Sequence, residues 1–460
     1  MEKIKKDKLN RLLLVARAFF NSYTFYLLQT VIACLFVACR VERQGVLFFV
    51  AMLCVILIVC EDILPTTLPF LLCCALATNC YNSFAYFINY AVYAPVVISS
   101  FLFHYIAYFK GFRNGKSVEG ICVVSIALLL GGVGQFSLLE YIKGSYYLFG
   151  LGLGMLVAYY LMKAEFSVNR SYDLRARFSV IMSLLGCFCV ALITIGYARQ
   201  YLGFSWEIQG GKPFSPNNIA TLLMFCMPFP IFLSQKRDIW ALGSLFIYGG
   251  ICLTYSRGGL AFGGVEFIVC LLYWVTIGEN KKKKIIFLIV VGAVAFIPLG
   301  IIVFNVVKDR FAGGNFIDAT RKSMLQQAWE RFMANPVVGS GILDNSISYG
   351  EYRKPGTMAW YHVMIPQIIG SMGLVGVFAY LWQGVQRLKM VFSKSSSWGY
   401  CLGVSYLGIL LISQVNPGEF CPLPFELLTV LLFILQEERL DERLPLSNAR
   451  RKGVWKSIRF

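Results

Sequence analysis

Apolar residues run with few breaks from residue 23 to residue 436, and one long polar stretch, 306–365, interrupts them. That alternation constrains this chain more than any other feature. Fourteen apolar segments are long enough, or nearly so, to cross a bilayer, the first at 23–39 and the last at 421–436. Several fall short of the ~20 residues of a full helical span, so 12–14 membrane helices are expected. Apolar residues make up 58% of the chain and charged residues 14%, with a mean hydropathy of +0.66. A soluble domain carries about a quarter charged residues, so the sequence specifies an all-α, polytopic integral membrane protein, with 306–365 expected as one extracytoplasmic helical loop domain. The N-terminal MEKIKKDKLNR enters the first apolar run without a small-residue cleavage site, and the first span is expected to stay as an anchor.

A net charge of +18 raises the question of nucleic acid, and the distribution of the charge answers it. With the N-terminus placed in the cytoplasm, 29 of the 42 lysines and arginines fall on inner segments, KKKK at 281–284 and ARRKG at 449–453 among them. This is the positive-inside bias of a membrane protein, and no nucleic-acid partner is expected. Of the 13 outer basic residues, seven lie in the 306–365 loop (Lys308, Arg310, Arg321, Lys322, Arg331, Arg353 and Lys354) and an eighth is Arg257. Most of the 15 cysteines lie in apolar spans and none in that loop. They read as small hydrophobes, and no zinc site or disulfide framework is expected.

Three constellations bear on chemistry. In TYSRGGLAFGG, 254–264, Arg257 stands in a short outer turn at a helix start. It is either a solvated arginine in a tight turn or, beside the first helical amides, an anion site. In DATRKSMLQQAWERFMANPVVGSG, 318–341, Asp318 is a plausible N-cap and Asn335-Pro336 a stop. A helical wheel places Arg321, Leu325, Ala328 and Phe332 on one face. A guanidinium on a packed face calls for an anionic partner, a structural carboxylate or a substrate phosphate. Lys322 and Arg331 sit on the flanks, where solvated charges are the simpler reading. In WYHVMIPQIIGSMGLVGVFAYL, 360–381, Pro366 belongs near a helix start, which puts His362 at the outer mouth of a span. His362 is an interfacial histidine or a general base that takes a proton from a hydroxyl. His104, within the fourth span, reads as structural. Glu266 and Glu426, both inside spans, are expected to form structural ion pairs, with Glu266 also able to hold Arg257 or line a cavity.

These segments, in this order, resemble the O-antigen polymerase and ligase family of bacterial membrane glycosyltransferases. The resemblance takes in GKPFSPNNIATLL at 211–223 with Asn217, the Ser256-Arg257-Gly258 turn, Arg321 followed by NPVVGSG at 335–341, and His362 with Gly373 and Gly376 behind it. It covers roughly 210–415 and divides the chain into a scaffold (1–209), a catalytic region (210–436) and a basic cytoplasmic tail (437–460). It implies transfer of an oligosaccharide from an undecaprenyl-diphosphate carrier to a sugar hydroxyl, on the extracytoplasmic face of the bacterial cytoplasmic membrane. No metal or other cofactor is implied. By the same resemblance Arg257 and Arg321 hold the diphosphate and His362 deprotonates the acceptor. Asn217, Arg331 and Glu266 complete the expected substrate contacts. Ligases of the family usually carry a polar residue after the histidine, and Val363 here favours a polymerase. A transporter of the same lipid-linked substrate is the competing class, but no internal repeat of the kind transporters show is evident.

Overall fold

The computed structural model describes residues 2–80, 87, 89–133, 145–168, 170, 172–203, 214–277, 281–286, 288–290, 300, 319–342, 361–393, 396–416 and 418–441. Every regular element among them is a helix. In chain order these are α1 (Glu2–Phe20), α2 (Tyr23–Ala38), α3 (Glu42–Val59), α4 (Leu64–Thr78), α5 (Ala94–Ala107) and α6 (Ser117–Leu130). Then come α7 (Ser145–Leu151), α8 (Leu153–Phe166), α9 (Leu174–Tyr201), α10 (Pro216–Cys226), α11 (Pro228–Leu233) and α12 (Ala241–Thr254). The last are α13 (Arg257–Thr276), α14 (Ala319–Ala334), α15 (Met364–Phe392), α16 (Ser397–Ile412) and α17 (Leu427–Asp441).

Five helical stretches among the described residues are long and apolar enough to cross a membrane by themselves. A sixth forms if Asn10–Phe20 and Tyr23–Ala38, bent by 64°, count as one. Five shorter apolar helices accompany them. The chain is a polytopic helical membrane protein, as its composition requires. The span expected at 285–305 falls largely outside the described residues.

The chain divides into two compact units: Met1–Arg113, Ala164–Thr254 and Asp441–Phe460 in one, Asn114–Lys163 and Tyr255–Leu440 in the other. The axis of the first is α9, 28 residues and about 42 Å long, which packs against α2, α4, α10, α11 and α12. Asp173 starts it, its carboxylate accepting from the backbone N–H groups of Arg175 and Ala176 at 3.1 and 3.2 Å, an N-cap that satisfies amides left over at a helix start. Charges in this unit occur in pairs. Arg170 forks onto Asp62 with contacts of 2.9–3.2 Å, Tyr172 donates to the same carboxylate, Lys110 meets Glu165, and Arg199 meets Glu42 at 2.5 Å. His104 is buried, with Nδ1 2.9 Å from the Leu57 carbonyl and Nε2 3.6 Å from Glu165, the structural role expected of it.

In the second unit α6 runs antiparallel to the C-terminal part of α15. Ser117 lies at Met390, and Gly131 lies against Ser371 and Met372. A core of Val124, Leu128, Leu151, Ile368, Met372 and Phe420 fills the space around them. Several buried charges are paired here as well. Arg387 holds Glu419 at 3.1 Å and Glu426 at 3.2 Å, which gives Glu426 the ion pair expected of it. Lys163 holds Glu437 at 3.1 Å and Glu438 at 2.6 Å, while Tyr159 and the Ser117 N–H also donate to Glu437.

Candidate functional site

The site begins with a helix that does not run straight. Residues 364–392 pass as a single apolar span by composition, but Gly373 sits at φ 58°, ψ −148° and breaks it. A Cβ added at Gly376 would lie 3.2 Å from Ile368 Cγ2. On a straight helix eight residues are about 12 Å apart, so Met364–Met372 folds back on the remainder. This corrects the expected geometry: 366–386 is not one continuous span with His362 at its mouth.

A break in apolar surroundings leaves backbone groups that must find partners within the protein. The segment Pro336–Gly341 supplies them. The Ser340 and Gly341 N–H groups donate to the carbonyls of Gly370 and Ser371 at 3.0 and 2.8 Å, and the Leu374 and Val375 N–H groups donate to those of Pro336 and Val337 at 2.8 and 3.1 Å. The NPVVGSG sequence is thus a backbone clasp around the turn. Gly339 (φ +66°) and Gly373 are both left-handed, and a Cβ on either would come within 2.5 Å of the other strand of the clasp. Only glycine fits at these two positions.

His362 enters this broken helix at its start. It is half-buried and itself left-handed at φ 56°, a conformation that costs a non-glycine residue about 1–3 kcal/mol unless its surroundings impose it. Three backbone contacts impose it. The Tyr361 N–H donates to Gln367 Oε1 at 3.1 Å, the Gln367 N–H donates to the Val363 carbonyl at 3.0 Å, and the Met364 N–H donates to the Ser413 carbonyl at 3.0 Å. Gln367 is 1% exposed, and its Nε2 continues to Ser371 Oγ at 3.1 Å. Tyr361 is fully buried against Met324 and Ala328 of α14, and its hydroxyl accepts from Arg331 at 3.0 Å.

Ser413 belongs to the turn after α16, and the same turn adjoins the start of α13 at Gly258. Ser256 caps α13, its hydroxyl accepting from the Gly259 N–H at 3.2 Å. At Gly258 the helix start presses on Val415 and lies 3.1 Å, measured from an added Cβ, from Ile412 Cδ1. The 412–415 turn therefore carries the His362 segment on one contact and the Arg257 helix start on another. Arg257 is exposed there. Ile412 and Ser413 of that turn are buried, and Gln414 and Val415 are half-buried.

The remaining expected site residues distribute as follows. Arg321 lies in the first turn of α14, one turn before Met324 and Leu325; its side chain lies outside the described residues, as do Asp318, Lys308, Arg310, Arg353 and Lys354. Helix α14 ends at Ala334, as Asn335-Pro336 requires. Its buried face centres on Met324 and Ala328, with Leu325 and Phe332 only half-buried, because the Tyr361 ring fills the gap between those two. Lys322 is exposed, whereas Arg331 is half-buried against Tyr361 and is not the solvated flank charge expected. Glu266 is fully buried between α13 and α16, where its carboxylate presses on Gly408, and both its oxygens lack a hydrogen-bond partner. Among the described residues the ion pair expected of it does not form, and none with Arg257 is present. Asn217, in the first turn of α10, belongs to the other unit. Sequence reading missed Tyr361, Gln367 and Ser413. A buried tyrosine followed by a left-handed histidine has no local signature, since the contacts that hold it come from distant segments.

An all-helical membrane fold with basic and imidazole groups at a broken helix defines the class. Residues 242–381 match the O-Antigen ligase family model. That stretch includes the Arg257 turn, α14, the clasp, His362 and the break at Gly373. No curated protein and no solved structure matches the chain.

Proposed function

We propose that this protein transfers or polymerises oligosaccharide repeat units from an undecaprenyl-diphosphate carrier onto a sugar hydroxyl at the extracytoplasmic face, with 210–436 as the functional region. The observation that carries the reading is the 412–415 turn, which both the His362 segment and the Arg257 helix start adjoin. In this scheme His362 removes the acceptor proton. Arg257 and Arg321 grip the diphosphate and offset the charge that builds on the leaving group, so no metal is needed. Arg331 orders Tyr361 beside the base, and Glu266, enclosed as it is, acts at most indirectly on the substrate.

Polymerisation is favoured because an apolar residue, Val363, follows the histidine. The family description favours the second reading, transfer of the finished glycan to a different lipid or wall acceptor. Purified protein supplied only with lipid-linked repeat units should lengthen them if it is a polymerase and should require a distinct acceptor if it is a ligase. His362→Ala should slow product formation by roughly a hundredfold to ten-thousandfold, the usual contribution of a general base. Arg257→Lys should also be strongly impaired, because an ammonium lacks the planar fork. Full activity of the alanine variant would remove His362 from the mechanism. Movement of repeat units across vesicles without a new glycosidic bond would make the protein a transporter.

A further inference from the structure

We infer that the groove between α6 and the C-terminal half of α15 binds a monoanionic membrane phospholipid, at a place separate from the proposed transfer site. The groove encloses about 750 Å³, within the range of ligand sites. Lys389, at its end, stands sixteen residues beyond Gly373, about 24 Å along a helix.

Its apolar wall is a stripe on α15: Phe378, Leu381, Trp382 and Val385, exposed by 63%, 64%, 45% and 49%. From Phe378 to Lys389 the helix rises about 16 Å, close to half of the roughly 30 Å hydrocarbon core and so to the depth of one leaflet. The stripe matches an acyl chain lying along it.

One end of the groove carries charge. Lys116, which precedes α6, and Lys389 both line it and are both exposed. Glu119 lines it too, but its Oε2 accepts from Gln386 Nε2 at 2.7 Å, so part of its charge is taken up within the wall. The neighbouring Arg387 is committed to Glu419 and Glu426 and adds nothing. Two ammonium groups against one carboxylate leave a single positive charge, which complements one phosphodiester. A choline headgroup would set a second cation beside the lysines, and a dianionic phosphate would exceed the charge available. Lysine stems long enough to reach a headgroup from the hydrocarbon edge are the usual means of holding such a lipid.

The test is lipid retention on the purified full-length protein by native mass spectrometry, with dioleoyl phosphatidylglycerol and dioleoyl phosphatidylcholine added in equal amounts. Phosphatidylglycerol should persist on the wild type after phosphatidylcholine has been lost. Lys116→Ala with Lys389→Ala should reduce that preference by about tenfold or more, whereas Lys322→Ala should leave it intact. If the double variant is lost in purification, Lys389→Gln alone carries the same comparison at an exposed side chain. Equal retention of the two lipids, an unchanged preference in the lysine variants, or displacement of the lipid by inorganic phosphate would each overturn the assignment.

Discussion

Helices α9 and α15 differ by one residue in length and both pass as membrane spans, with mean hydropathies of 2.5 and 1.6 over their most apolar windows. One runs unbroken as the axis of its unit. The other breaks at Gly373 and folds back on itself. Neither composition nor length foretells the difference. What separates them is a second segment of chain: α9 satisfies its own backbone from end to end, whereas α15 borrows four hydrogen bonds from Pro336–Gly341. A span can afford to break only where another part of the protein replaces the bonds it gives up. The start of the broken helix also reaches Ser413 through the Met364 N–H, in the turn that Gly258 adjoins. The unbroken helix is the axis of its unit, and the broken one begins beside the residue proposed as the base.

The sharpest way to break this comparison is to make α15 resemble α9. Gly373→Ala or Gly339→Ala places a Cβ within 2.5 Å of opposing backbone at a left-handed position. The combined strain and overlap should cost about 2–5 kcal/mol. Thermal unfolding in detergent should fall sharply for both. Gly384→Ala, farther along α15 with open space around it, should be neutral or slightly stabilising. If all three behave alike, the clasp is not what holds the break.

A comparable loss is expected at the buried charges of the same unit. Arg387→Ala strands Glu419 and Glu426 and should cost about 3–5 kcal/mol, a loss that Glu419→Gln and Glu426→Gln together should largely restore. Glu266 has no partner to lose among the described residues. Glu266→Gln should therefore leave the unfolding temperature unchanged or raise it, and a large drop would reveal a partner.

The smallest effect belongs to the scaffold unit and depends on pH. Burial works to raise the pKa of Asp62, but Arg170 and Tyr172 outweigh it and hold the carboxyl below the ordinary range. A carboxylate lowered in the folded state contributes stability above its unfolded pKa of about 3.9 and loses it as pH falls through the folded value. Wild type should exceed Asp62→Asn in unfolding temperature by a constant margin from neutral pH to about pH 5, and the margin should close below pH 4. A margin that widened in acid would reverse the assignment.

Much of this protein was legible before any coordinates. The membrane class followed from apolar runs and the side of the basic residues, because lipid permits few solutions to the hydrogen-bonding of a buried backbone. The segments that matter, around Arg257, 335–341 and His362, were legible as polar or glycine-rich departures from that background. Their geometry was not. NPVVGSG read as a helix stop, which it is at Ala334, but its larger role is to complete hydrogen bonds on residues 370–375. Arg331 read as a solvated charge because the tyrosine it meets lies thirty residues away.

The sequence by itself determined the solvent this chain folds in, the helices, and which polar residues stand out from the apolar ground, because these depend on composition and local periodicity. Only the tertiary structure decided that one span would fold back, that His362 would be held left-handed near the turn that Gly258 adjoins, and that Glu426 would be paired while Glu266 would not among the described residues. Each of those outcomes depends on a partner from a distant part of the chain, and no local pattern records which partner arrives.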